Sequence, residues 1–154
     1  MAVRVQREAF DIGAEIDRLR AGRTSVGAVA SFMGVMRDFN DGSGVQSMVL
    51  EHYPGMTERA LESIVAEAGE RWPLIDTLVV HRVGELRPSD PIVLVVTLSA
   101  HREAALAACA FIMDFLKTRA PFWKKERTPA GERWVEARAS DDRAADRWQE
   151  GDGA

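Results

Sequence analysis

A proline standing at the end of a long apolar helical pattern decides how the second half of this chain can fold. In KTRAPFWKKE, residues 117–126, Pro121 lacks a backbone N–H and disfavours helix at the residue before it. The pattern that starts at His101 is therefore predicted to end near Arg119 or Ala120. Beyond the break, Phe122 and Trp123 have to be buried, and burying them pins the flanking lysines to one surface. Lys117, Arg119, Lys124 and Lys125 fall within these ten residues. They gather at a helix C-terminus, where the backbone dipole is negative. Two readings fit: cations that complement the dipole and keep the helix end solvated, or a fixed site for an anion.

Charge balance makes any such site a local one. The chain of 154 residues carries 20 basic and 24 acidic side chains, a net −4, which does not favour nucleic acid or an anionic membrane surface. No apolar run approaches the roughly 20 residues that cross a bilayer. MAVRVQREAFDIG lacks the apolar core of a secretory leader. The single cysteine, Cys109, sits in LAACAFIM as a small core residue and fits a reducing compartment, so a cytoplasmic protein is expected. His52, His81 and His101 are scattered without ligand spacing, and neither a metal site nor a cofactor is expected.

The apolar periodicities give the rest in order. A short strand is predicted within 3–10 and a helix over 11–19, ended by Ala21-Gly22-Arg23. Residues 26–36 read as a long strand in which Gly34 marks a bulge or a close backbone approach. A polar loop over 37–44 joins it to a return strand over 45–53. A helix over 57–71 follows, with Thr57 as its cap, an apolar face at Met56, Ala60, Ile64 and Ala68, and Pro73 beyond its end. Strands are predicted at 77–83 and 92–98, joined by the turn-rich GELRPSDP. The second long helix covers 101–118, capped by Ser99, with Leu106, Cys109, Ile112, Met113, Phe115 and Leu116 among its apolar residues. A strand at 133–137 and a short helix from Ser140 to Trp148 complete one domain over 1–150, and 151–154 should fray. The class is α+β: a single domain in which two long helices pack on a mixed, mostly antiparallel sheet, in a hammerhead-like arrangement. No glycine-rich phosphate loop opens either long helix.

Five segments, LEHYPGMTERAL (50–61), HRVGEL (81–86), SAHREAA (99–105), FIMDFLKTRAPFWKKE (111–126) and RWVEAR (133–138), together resemble one family, the large catalytic subunit of molybdopterin synthase. The resemblance spans about 90 residues in the expected order, and a fainter likeness runs from 26 to Trp148. It implies an enzyme that converts a cyclic pyranopterin monophosphate into molybdopterin by installing two sulfurs as a dithiolene. A small ubiquitin-like sulfur carrier is the implied partner, bringing each sulfur as a thiocarboxylate on its C-terminal glycine. The large subunits are implied to form a homodimer at the centre of a heterotetramer.

The resemblance also implies roles, position by position. Lys117 and Lys124 match the family's two active-site lysines. A lysine in a pocket beside other cations holds its proton less tightly and serves as an acid or base near neutral pH. That role is assigned to Lys117, while Lys124 holds substrate and stabilises developing negative charge. The binding segment runs on through Lys125 and Glu126, although Lys125 and Arg127 read as solvent-facing. Arg37, ending GVMR, matches a phosphate-binding arginine, a role its planar fork suits. Phe32 and Met113 match positions that wall the pocket. His101 and Arg102 open the second long helix, where exposed N–H groups favour an anion. Arg102 and Lys117 stand 15 positions apart, about 22 Å along one helix. No small pterin phosphate spans that distance, so the site is predicted to be shared between two copies, with Arg138 joining His101 and Arg102 from the second. Glu51, His52, Tyr53, His81 and Arg82 also match the family but are left outside the site. Two other classes compete: a non-catalytic module that holds a ubiquitin-like partner or a pterin, and a phosphoesterase. The first should lack one of the two lysines; the second should show a metal cluster or a histidine pair.

Overall fold

The computed structural model describes residues 1–40, 43–135, 143–146 and 148. The chain runs through β1 (Ala2–Gln6), α1 (Ile12–Arg20), β2 (Ala28–Val35), β3 (Phe39–Asn40), β4 (Ser43–Gly44) and β5 (Ser47–His52). It continues through α2 (Met56–Arg71), β6 (Leu74–Arg82), β7 (Gly84–Leu86), β8 (Pro91–Ser99), α3 (Arg102–Arg119), β9 (Phe122–Thr128) and β10 (Gly131–Val135). A helical turn covers 143–146. Arg138, the end of the predicted 133–137 strand and the tail 151–154 lie outside the described residues.

The α+β class holds, but the strands form two four-stranded sheets and a small hairpin rather than one sheet. The first has the order β1-β6-β8-β2, with β1 parallel to β6 and the other pairs antiparallel. The second, β10-β9-β5-β7, is antiparallel throughout. The hairpin pairs β3 with β4 inside the predicted polar loop. In β8, residues 93–99 are all buried, because both faces of the first sheet are covered. Val79, Val93 and Val95 pack under α2 and α3, against Leu61, Ile64, Phe111 and Ile112. Leu78, Val80, Leu94, Val96 and Leu98 form the opposite face, under Ile12, Ile16 and Leu19. Thr97 donates its hydroxyl to the Ala105 carbonyl at 2.6 Å, tying β8 to α3.

At Gly34 the expected bulge is present, and what approaches closely is the Val93 side chain rather than another stretch of backbone. The β2–β8 register shifts between Gly34 and Val35, and a Cβ at Gly34 would sit 2.7 Å from Val93 Cγ1. Two predicted helix caps move. Gly55, at φ +85°, precedes α2, so Thr57 lies inside the helix, and His101 rather than Ser99 caps α3. Ser99 ends β8 and donates to the Pro73 carbonyl at 2.9 Å. Leu106 lies on the exposed face of α3, outside the apolar stripe assigned to it. Among the described residues no helix is long and apolar enough to cross a membrane.

Glu15 is the one charged residue of α1 that is buried, and it is paired on two sides. Arg4 of β1 bonds its Oε2, and Arg18 reaches its Oε1 at 2.6 Å. The Arg4 hydrogen bond holds its carboxyl below the usual range against the opposing effect of burial, and both guanidinium charges add to that. A carboxylate whose folded value is depressed stabilises the fold above its unfolded value and loses that contribution as pH falls through the folded one. Glu15→Gln is expected to lower Tm at neutral pH by about 2–4 °C. Melting curves of both proteins across the acid range should converge; a gap that is constant with pH would exclude the ion pairs as its cause.

Candidate active site

Three elements meet where α3 ends. Ala120 leaves the helix at φ −78°, ψ 130°, and Pro121 turns the chain directly into β9. The predicted helix end is therefore correct, but the residues beyond the proline form a strand that the run of charges concealed. The turn is tied down from α2. The Thr57 hydroxyl, fully buried, donates to the Pro121 carbonyl at 3.1 Å and accepts from the Tyr53 N–H at 2.9 Å. Glu58 accepts from the Gly55 N–H at 3.0 Å, closing the same corner.

Strand alternation then sorts the cations of β9. Phe122, Lys124, Glu126 and Thr128 share the inward face, where Glu126 and Thr128 are buried. Trp123, Lys125 and Arg127 share the other. Lys125 pairs with Glu132 at 3.0 Å and lies 5.6 Å from the centre of the Trp134 ring. Arg119 is drawn to Glu67 at 2.8 Å and stacks over Phe115 at 3.9 Å. Of the four cations in this segment, the structure thus directs Arg119 and Lys125 elsewhere. Lys117, in the last turn of α3, and Lys124, in β9, both press their charge on one buried group, His81.

His81 lies in β6, between Val5 of β1 and Val93 of β8. Its ring stacks on Phe122 with centroids 3.8 Å apart and planes 18° from parallel. Its Nδ1 donates to the Arg82 carbonyl at 2.8 Å. Burial pushes the imidazole down to about 3, and the charges of Lys117, Lys124 and His52 push the same way, against the Arg82 carbonyl. The ring is neutral at physiological pH. His81 and Thr57 fall in the family-like segments HRVGEL and LEHYPGMTERAL but lie outside the site expected from the sequence, because the contacts that give each its place are made with a segment more than 40 positions away.

The other predicted residues are spread over the fold. Arg37 is exposed just past β2, its chain position set by Met36, whose N–H donates to the Asp90 carbonyl at 2.9 Å. Phe32, 43% exposed on β2, and Met113, buried on α3, border the same side of the first sheet. Glu126 accepts from Arg133 at 3.1 Å. His101 and Arg102 are exposed at the far end of α3, so one chain does not bring them to the lysines. The His101 side chain makes no capping hydrogen bond; its carbonyl accepts from the Ala105 N–H at 3.4 Å. Burial pushes the Cys109 thiol up to about 11, as suits a core residue. No group of histidine, cysteine and carboxylate side chains suited to a metal occurs among the described residues.

A family model described as MoaE protein matches residues 5–119. A molybdopterin synthase catalytic subunit from Ralstonia nicotianae is 65% identical over 146 residues, covering 95% of this chain and 83% of that one. One from Pseudomonas aeruginosa is 60% identical, covering 97% of this chain and 100% of the other. A solved structure, a molybdopterin biosynthesis MoaE protein from Burkholderia ambifaria, superposes with a TM-score of 0.83 at 57% identity, covering 97% and 99% of the two chains.

Proposed function

The chain belongs to the MoaE protein family, and from that premise we propose a molybdopterin synthase catalytic subunit whose reactive centre is Lys117 with Lys124. The reaction takes a cyclic pyranopterin monophosphate to molybdopterin, with both sulfurs arriving as a thiocarboxylate on a small ubiquitin-like carrier. The convergence of both lysine charges on buried His81, across the junction of α3 and β9, carries this reading. Two cations from different elements that act on the same buried ring support a shared site for an anionic substrate.

In this reading Lys117 moves the proton at the reacting carbon, because a helix packed on both its neighbours orients it. Lys124 binds substrate and offsets negative charge as it develops. Arg37 takes phosphate, and Phe32 with Met113 forms the apolar wall. Lys125 and Glu126 continue the substrate-binding segment along β9, where Glu132 and Arg133 hold them in register. His101, Arg102 and Arg138 complete the site from a second copy, within a homodimer that carries two small subunits. The protein works in the cytoplasm, and residues 1–150 act as one domain.

The test is direct. The purified chain, a small subunit ending in a Gly-Gly thiocarboxylate and the cyclic substrate are mixed, and dithiolene product is read in a single turnover. Product in proportion to the thiocarboxylate is expected. No product despite tight binding of a competent small subunit would leave a non-catalytic binding module.

A further inference from the structure

Lys117 and Lys124 sit on different elements, so their separation depends on how β9 is held against the first sheet. The Phe122 ring is the junction. It packs against the apolar cluster under α2 and α3 and also against the cluster of Met48, Leu50 and Leu86 in the second sheet. Its flat face meets His81, a first-sheet residue. We propose that His81 is a positioning residue, whose stack on Phe122 fixes the start of β9, and with it Lys124, relative to Lys117. This deepens the function proposed above and rests on it only for its effect on turnover.

Three observations carry it. His81 cannot drift, because β6 holds its backbone between β1 and β8 and the next residue is clamped: Arg82 donates to the Arg7 carbonyl at 3.0 Å and the Pro91 carbonyl at 3.2 Å. Phe122 cannot drift along its strand, because it is paired with His52 of β5, and Lys124 with Leu50. The stack itself joins the two sheets two positions before Lys124. The charged and titratable groups that face the ring are Lys117 from α3, Lys124 from β9 and His52 from β5; β1 and β8 present Val5 and Val93. A neutral ring is what this place requires, since an imidazolium would add a third cation and push the lysines apart.

Three variants test this: His81→Leu, which removes the flat ring; Phe122→Leu, which removes its partner; and His81→Phe, which restores a ring without nitrogens. Two quantities are read in the assembled complex. One is the pH midpoint for amine labelling of Lys117 and Lys124 by acetic anhydride, resolved peptide by peptide; the other is single-turnover rate. Both leucine variants are expected to shift the Lys124 midpoint and slow turnover about tenfold to a hundredfold. Binding of the small subunit should be unchanged and His81→Phe close to wild type. Leucine variants with unaltered labelling and turnover would overturn the proposal. So would a phenylalanine variant as impaired as the leucine one, since the ring nitrogens would then be what matters. If one leucine variant does not fold, the other still decides. A labelling shift without turnover even in wild type would support the positioning role and refute the enzymatic reading, so the two fail separately.

Discussion

Lys117→Ala is expected to lower single-turnover dithiolene formation by about 10²–10⁴-fold, the usual worth of a positioned acid or base. Lys117 lies in the last turn of α3, beyond the packed residues Phe115 and Leu116. Its own side chain is exposed, so truncating it leaves no cavity and should leave Tm and affinity for the small subunit nearly unchanged. Lys124→Ala should instead weaken substrate binding as well as slow the chemistry, because its assigned role begins before the transition state. Turnover of Lys117→Ala within about tenfold of wild type would remove it from the centre of the reaction.

Phe111→Ala should cost about 3–5 kcal/mol of stability, a large share of what a domain of this size has. Phe111 is fully buried, and three aromatic rings meet it edge-on: Trp72 at 5.4 Å, Phe115 at 4.7 Å and Trp148 at 5.6 Å. The Arg71 guanidinium lies 4.7 Å from its ring centre. Rings packed from several elements cannot all collapse into the space left by one, so the cavity persists. The measurement is a urea titration, with the midpoint falling and the slope preserved. A loss under about 1 kcal/mol would mean that the cluster repacks.

Much of this fold is legible because its signals are local. Pro121 stops a helix by covalent geometry, and α3 ends at Arg119. The stripe Ile64, Val65, Ala68 marks α2, and the apolar run over 92–96 marks β8 as a strand. What is illegible depends on partners remote in sequence. Nothing in FWKKERT shows that alternate residues face a core, because its inward charges Lys124 and Glu126 look like its outward ones, Lys125 and Arg127. Thr57 resembles a cap until Pro121 is found beside it, 64 positions on. The candidate site divides in the same way: the cations are visible as a cluster, whereas their sorting, Arg119 to Glu67 and Lys125 to Glu132, needs the tertiary structure.

If the lysine pair is completed by the α3 start of a second copy, subunit exchange should restore activity between two inactive variants. Lys117→Ala and Arg102→Ala proteins, each inactive alone, are mixed and allowed to exchange before single turnover with the thiocarboxylated small subunit. In a mixed dimer one site receives both lesions and the other receives neither. Random exchange should therefore restore roughly a quarter of wild-type product formation. No recovery after exchange is shown to be complete would place Arg102 and Lys117 in separate functions of one chain and contradict the shared site.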